Sequence, residues 1–404
     1  MTNTSKSLTL SRLIFNNPVL IALYFLPFLR PDFINTISYL PTVFDALLYF
    51  SVFVGAVLFF TNRSKFPKIV LAVFCYFAII ILSTVIKHGS LNSAIVNTIK
   101  PVLFVMGIYY GQKTNMNNLF NTLEFVLCTI IIINFITIIA FPQGMYLKEA
   151  EYSYSRENWF IGFKNVHIRT ILPGVVLTMV NGYRKYHKIT IMSYIMIGIM
   201  ILSSILVNSS TAIVGSVIFV LLLLIFRLRR LYSFFDIRKI IIFLIISFLA
   251  VFLFNAQNMF SFLIEGILGK DLTLSNRVFL WQNAVKQIIK HPIIGIGIQH
   301  SDYMYTVIGA SHTHDYLLYI LLTGGLVGAY FIGYAYFLVG KKLTRTKNSV
   351  VSKIYLAMLI SFLVMGLTES LTSTTLLYPF LILSFYPELF DPLLSEANNV
   401  TGTG

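Results

Sequence analysis

The chain has 404 residues, of which 57% are hydrophobic and 11% charged, with a mean hydropathy of +0.81. A water-soluble domain of this length has too little interior to hide that much apolar surface, which makes lipid the solvent for most of the chain. The net charge of +15 does not point to nucleic acid, because the basic residues are scattered in short turns and no basic domain forms.

The first residues are polar through Arg12, and Lys6 and Arg12 precede the first apolar run with no small-residue cleavage site. This end therefore reads as a retained cytoplasmic terminus rather than a signal peptide. Apolar runs near 20 residues then recur along the chain, each long enough to cross a hydrocarbon core of roughly 30 Å as a helix. Hydropathy places about twelve of them, roughly at 14–31, 42–61, 67–86, 94–111, 119–141, 164–182, 189–207, 209–226, 239–255, 314–340, 353–370 and 373–390. Pro18 and Pro27 interrupt the first run, and Asn208-Ser209-Ser210 makes a tight turn between the seventh and eighth. The alternating ~10-residue segments of a membrane β-barrel are absent. The expected fold is an all-α polytopic membrane protein, one membrane domain over residues 1–404.

Charge orients it. Arg63, Lys65 and Lys68, then Arg184, Lys185 and Lys188, then Arg227 to Lys239, then Lys341 to Lys353 fall in alternate turns, and these carry most of the 30 basic residues. The positive-inside rule puts these turns and both termini in the cytoplasm. Two longer loops then lie outside, a smaller one over 142–163 and a larger one over 255–313 between the ninth and tenth spans. Cys75 and Cys128 sit in separate apolar runs outside any motif and imply no disulfide framework. No metal-ligand spacing joins the seven histidines, so neither a metal nor a cofactor is expected.

The smaller outer loop carries Arg156-Glu157-Asn158-Trp159, then Gly162 and Asn165, with His167 and Arg169 one or two turns into the next apolar run. Ionisable residues there are costly unless they face a polar cavity, which makes them functional candidates; Arg169 alternatively snorkels to the interface. In the larger loop, Ser275 suits the N-cap of a helix over Asn276–Lys290. Val278, Trp281, Val285 and Ile288 share one face, and Lys286 and Lys290 lie on the other. Such a helix either rests in the headgroup plane, with its lysines among phosphates, or covers the membrane domain. Pro292-Ile-Ile-Gly295-Ile-Gly297 ends it in a turn; this run lacks the third glycine and the βαβ setting of a dinucleotide fingerprint. His312, His314 and Asp315 then stand at the outer mouth of the tenth span. An oriented imidazole there can take a proton from a sugar hydroxyl; the alternative is a polar helix cap, with Asp315 favourable near the N-terminal dipole. Glu369 sits at the outer end of the eleventh span and is expected to pair with a cation rather than act as an acid.

Ser275-Asn276-Arg277 with Trp281, His291-Pro292-Ile-Ile-Gly295-Ile-Gly297, His314-Asp315-Tyr316-Leu317-Leu318 and Gly324-Gly325-Leu326-Val327-Gly328 together resemble the O-antigen ligase and Wzy polymerase superfamily. The loop with Arg156, Gly162 and Asn165 is similar to that family's other outer arginine loop. Asp315 and His291 depart from the pattern, which usually has Asn at both places.

The resemblance implies transfer of a glycan from an undecaprenyl diphosphate lipid to a sugar hydroxyl, on the outer face of a bacterial cytoplasmic membrane. It assigns His314 as general base and Arg277 with Arg156 or Arg169 to the diphosphate, while Lys286 and Lys290 could hold the lipid phosphate; Asp315, placed with the substrate-binding residues, has a carboxylate that could orient His314 where the family has Asn. The partners it implies are the lipid-linked oligosaccharide, the bilayer and a polysaccharide chain-length regulator. A polymerase of O-antigen or capsular repeat units is the leading expectation, a ligase of the same superfamily the nearest alternative. A flippase for the same lipid fits less well, since flippases have short outer loops.

Overall fold

The structure is a computed structural model that describes residues 10–61, 65–149, 155–228, 232, 234–254, 277–371 and 376–394. Ser275, Asn276 and most of the upstream half of the large loop lie outside these residues. Within them the chain is mostly helical.

Helix α1 (Pro18–Phe25) starts where Asn17 Oδ1 accepts the Val19 amide at 2.9 Å, with Pro18 in the first turn, where no donor is needed. Pro27 then diverts the chain into a 3-10 turn (Leu26–Leu29), so the first apolar run is a short helix and a turn rather than one straight span. Among the described residues, four helices are long and apolar enough to cross a membrane: α2 (Leu40–Thr61), α3 (Lys68–Ile86), α4 (Leu91–Ala140) and α11 (Tyr316–Arg345). Shorter apolar helices accompany them: α6 (Ile191–Leu206), α7 (Ser210–Ile225) and α12 (Val350–Met365), with α8 (Ile237–Phe254) following α7. This establishes a membrane protein with several spans, and not the finer count of about twelve. The fourth and fifth expected spans are joined in α4, which leaves helical geometry at Asn115 (φ −153°, ψ 87°). Each part is about 36 Å long, enough to cross on its own. The last expected span is broken into α13 (Leu377–Leu383) and a 3-10 turn at Pro387–Leu389.

Helix α5 (Lys164–Tyr186) is the least apolar of the long helices, because it carries Lys164, His167, Arg169, Asn181, Arg184 and Lys185. It is nevertheless buried nearly all round from His167 to Gly182, packed among α4, α6, α7, α12 and α13. A polar helix at the centre of an apolar bundle must spend its charges on partners or on a cavity. Outside the bundle, β1 (Tyr146–Glu149) and β2 (Ser155–Asn158) form an antiparallel hairpin with Lys148 opposite Arg156.

The largest helix contact joins α3 to α11. Helix α11 breaks at Gly325 (φ 61°, ψ −162°), and the turn after helix α9 (Arg277–Lys290) fills the break. The amides of Ile296 and Gly297 donate to Leu322 O and Thr323 O at 2.7 and 3.1 Å, and those of Leu326 and Val327 donate to Pro292 O and Ile293 O at 2.8 and 3.0 Å. Backbone groups released by the break are thus satisfied within the protein, as a low-dielectric setting demands. The Pro292–Gly297 motif is therefore a splice between the outer loop and α11, and Ile298 extends it to Thr84 Oγ1 of α3 at 2.8 Å. A Cβ at Gly325 would meet the backbone of Ile293 and Gly295. Gly325→Ala is expected to cost about 1–3 kcal/mol from dihedral strain alone, and more from the collision. A lowered melting temperature of the detergent-purified protein checks this.

Helix α9 does not keep its apolar face for lipid. Leu280, Trp281 and Ala284 form a small core of their own with Ile296, Met304 and Ile308 of helix α10 (Ser301–Ile308) and its approach, and with Leu318 and Leu322 of α11. Of the two readings open for this helix, the covering one describes that face.

Candidate active site

The segment from His312 to Tyr316 is held from both sides. Trp281 Nε1 donates to Thr313 O at 3.0 Å, Thr313 Oγ1 donates to Asp315 O at 2.8 Å, and the Tyr316 amide donates to Gly366 O at 2.7 Å. Between these anchors His314 adopts φ 51°, a left-handed conformation that costs a non-glycine residue about 1–2 kcal/mol. The anchors impose that geometry, and His314 lines a cavity of about 700 Å³. Burial first, then the charges of His312, Arg277, Arg169 and Arg156, hold the His314 imidazole down at about 3, so it is neutral at ordinary pH. Its amide faces His312 Nδ1 at 3.4 Å, and the two rings lie 4.0 Å apart.

Trp281 acts on this segment through the hydrogen bond to Thr313 O. Trp281→Phe keeps the apolar packing and leaves Thr313 O without that donor, a loss of about 1–3 kcal/mol. The expected result is protein still inserted in the membrane with a lowered melting temperature, measured by thermal unfolding of the detergent-purified protein beside the parent.

Asp315 is turned away from the imidazole. Its Oδ1 accepts the Leu318 amide at 2.7 Å as the N-cap of α11, and it lines a separate apolar cavity of about 200 Å³ with Tyr316, Ile241 and Leu363. The expected part of Asp315 as the group orienting His314 is thereby replaced: a buried helix start takes the carboxylate first. Burial pushes its carboxyl up to about 7, against the lowering effect of the Leu318 and Leu317 amides. A carboxyl raised on folding binds its proton more tightly when folded, so its contribution to stability falls as pH climbs from about 4 to about 7. Asp315→Asn keeps a cap acceptor without an ionisable group. Above pH 7 it is expected to gain on the order of a few kcal/mol over the parent, with the advantage vanishing near pH 4; thermal unfolding across that range checks it.

A second set of residues converges on Glu369, which is 3% exposed. Arg169 pairs with its Oε2 at 2.8 Å, Asn165 Nδ2 donates to its Oε1 at 3.0 Å, and the Arg277 guanidinium stands 3.7 Å from Oε1. Arg277 also donates to Thr368 O, and Ser209 Oγ donates to Asn165 Oδ1 at 3.0 Å. One carboxylate thus joins an arginine from α5 and one from α9, leaving a net positive charge. His167, by contrast, is spent on the loop: its Nε2 lies 3.0 Å from Gly162 O and its ring meets Trp159 edge-on.

The cavity brings Arg156, Arg169, His312 and His314 together. Arg156 reaches it from the hairpin with its guanidinium over the Phe163 ring at 5.2 Å. Lys286 and Lys290 are not brought there: both lie on the exposed face of α9, and Lys286 Nζ contacts Asn283 Oδ1 at 3.2 Å. Arg277 is not in the lining but sits behind it through Glu369. Three cations in the lining were not anticipated from sequence: Arg30, Lys100 and Lys148. Lys100 had a signal, a lysine inside an apolar run, which is the criterion that singled out His167 and Arg169. Arg30 and Lys148 had none. In all, five Lys and Arg side chains line the cavity against one carboxylate, Asp32. Among the described residues no group of His, Cys, Asp and Glu is arranged to hold a metal ion.

An α-helical membrane protein with a cationic, histidine-bearing cavity is the class these features define. Residues 195–333 match the family model described as O-Antigen ligase. This stretch runs from α6 into α11, includes Trp281, the Pro292–Gly297 splice and His314, and supports the chain's place in the Wzy/O-antigen ligase superfamily. Arg156, Arg169 and Glu369 lie outside the matched stretch. No curated protein and no solved structure matches the chain.

Proposed function

We propose that this protein polymerises lipid-linked oligosaccharide repeat units of an O-antigen or capsular polysaccharide at the outer face of the cytoplasmic membrane. The observation that carries the reading is the convergence of His314, Arg156 and Arg169 on one cavity large enough for several sugar rings. His314 takes the proton of the acceptor hydroxyl as that oxygen bonds to the donor's anomeric carbon. The bond from that carbon to the diphosphate oxygen breaks, and undecaprenyl diphosphate departs with the electron pair. Arg169 and Arg156, with Arg277 behind them, face the charge that grows on the leaving group, and arginine's paired donors suit a diphosphate. A bound diphosphate also offsets the arginine charges that hold His314 down, so the imidazole becomes a better base when the donor is in place.

The family description favours one second reading, a ligase that moves finished glycan to a different acceptor. A strain lacking its own copy separates the two. Loss of the long-chain ladder, with a single repeat still attached, supports the polymerase. Long lipid-linked chains that are never transferred support the ligase.

A further inference from the structure

The cavity holds more cations than one diphosphate uses, and Lys100 stands apart from the rest. It lies on α4 within a membrane-spanning helix, just before Pro101, is half-buried, and lines the cavity. Its ammonium makes no hydrogen bond and no ion pair among the described residues. The other unanticipated cations are compensated: Lys148 pairs with Asp32 at 2.9 Å and Arg30 with Asp45 at 3.0 Å. Asp45, whose charge also reaches Lys100, is thus already engaged by Arg30, which is further fixed by Asn35 and by the Phe44 ring at 5.7 Å. A lysine ammonium at that depth costs several kcal/mol in lipid and is retained where a polar cavity or an anion meets it.

We propose that Lys100, with Arg30 beside it in the cavity wall, forms a second oxyanion subsite that binds an anionic group of the acceptor, separately from the Arg169–Glu369–Arg277 set. This rests on the polymerase reading, in which both substrates are lipid-linked and only one diphosphate leaves. The two cation sets come from different parts of the chain: Arg30 follows α1 and Lys100 lies on α4, whereas Arg169 and Arg277 belong to α5 and α9 and Glu369 to the segment after α12. Two sources carry the required chemistry, oxygens sharing a delocalised negative charge: the acceptor lipid's diphosphate, or a carboxylate on its sugars. A lysine supplies a point charge to either.

The test uses the full-length protein in nanodiscs and three probes: undecaprenyl diphosphate, a glucuronate-containing disaccharide and its neutral counterpart. If the anion is the acceptor's diphosphate, the parent protein binds two lipids per chain and Lys100→Gln binds one. If it is a sugar carboxylate, the parent binds one lipid and prefers the acidic disaccharide, and Lys100→Gln loses at least tenfold of that preference. Lys100→Arg restores binding in either case, which separates loss of charge from loss of fold. Unchanged lipid stoichiometry in Lys100→Gln, together with equal affinity for both disaccharides, overturns the subsite. Binding is read without turnover, so a protein that makes no polymer but loses an anion on Lys100→Gln keeps the subsite and refutes only the polymerase reading.

Discussion

Replacing His314 by alanine is expected to lower polymer formation by about 10²–10⁴, the usual contribution of a general base, with the protein still present in the membrane. The size of the effect follows from the setting. The backbone at His314 is held at φ 51° by anchors on both sides, and three arginines act on the ring. None of those anchors uses the imidazole, and alanine removes the base without cutting them. His312 provides the comparison. Its Nδ1 faces the His314 amide at 3.4 Å, and its own backbone is not held in the left-handed conformation that presents His314, so His312→Ala is expected to cost less than His314→Ala. Because burial and the arginines hold His314 down at about 3 in the free protein, its ring does not protonate there between pH 8 and 5. A fall of kcat/KM in that range, which reports the free enzyme, therefore comes from another group. Quantifying chain length and total polymer in strains carrying each variant tests the assignment. Full activity in His314→Ala with loss in His312→Ala would exchange the two roles.

Glu369→Ala is expected to have the largest effect on stability. The carboxylate is buried and accepts Arg169 and Asn165 at 2.8 and 3.0 Å with Arg277 at 3.7 Å. Its removal breaks the Arg169–Glu369 pair in the interior of the bundle, where breaking a buried pair costs about 3–5 kcal/mol. Most of the stability of an ordinary domain lies in the range of 5–15 kcal/mol, so the variant is expected to be depleted from the membrane as well as inactive. Glu369→Gln keeps the shape and the acceptor oxygen and should be milder. Protein abundance and melting temperature of both variants, measured beside Arg169→Ala, check the account. If Glu369→Ala is as stable as the parent, the cluster is not the keystone the geometry makes it.

Parts of this architecture were readable from residues alone. The membrane class follows from composition, and the break after Lys290 follows from Pro292 and the two glycines. The pairing of Glu369 with a cation follows from the cost of a lone buried charge. Other features depend on contacts that no local pattern encodes. Gly325 is one member of a glycine run in the sequence, yet it opens α11 so that the outer loop can be spliced in. Asp315 stands next to His314 in sequence, yet its carboxylate caps α11 and lines a different cavity from the one His314 lines. Lys286 and Lys290 have the spacing of a lipid-facing row, but the apolar face beneath them packs on α10 and α11, leaving both lysines outside the cavity. Arg30 and Lys148 reach it only because the hairpin docks on the turn after α1, where the Asp32 amide donates to Ile161 O at 3.0 Å.

The most direct test of the central claim is a reaction with purified protein and synthetic undecaprenyl diphosphate-linked repeat units as the only substrate. The account predicts a ladder of lipid-linked products growing by whole repeats, one undecaprenyl diphosphate released per linkage, and neither from His314→Ala. Product formation by His314→Ala at the parent rate, or no polymer from the parent unless a different acceptor is supplied, would contradict it.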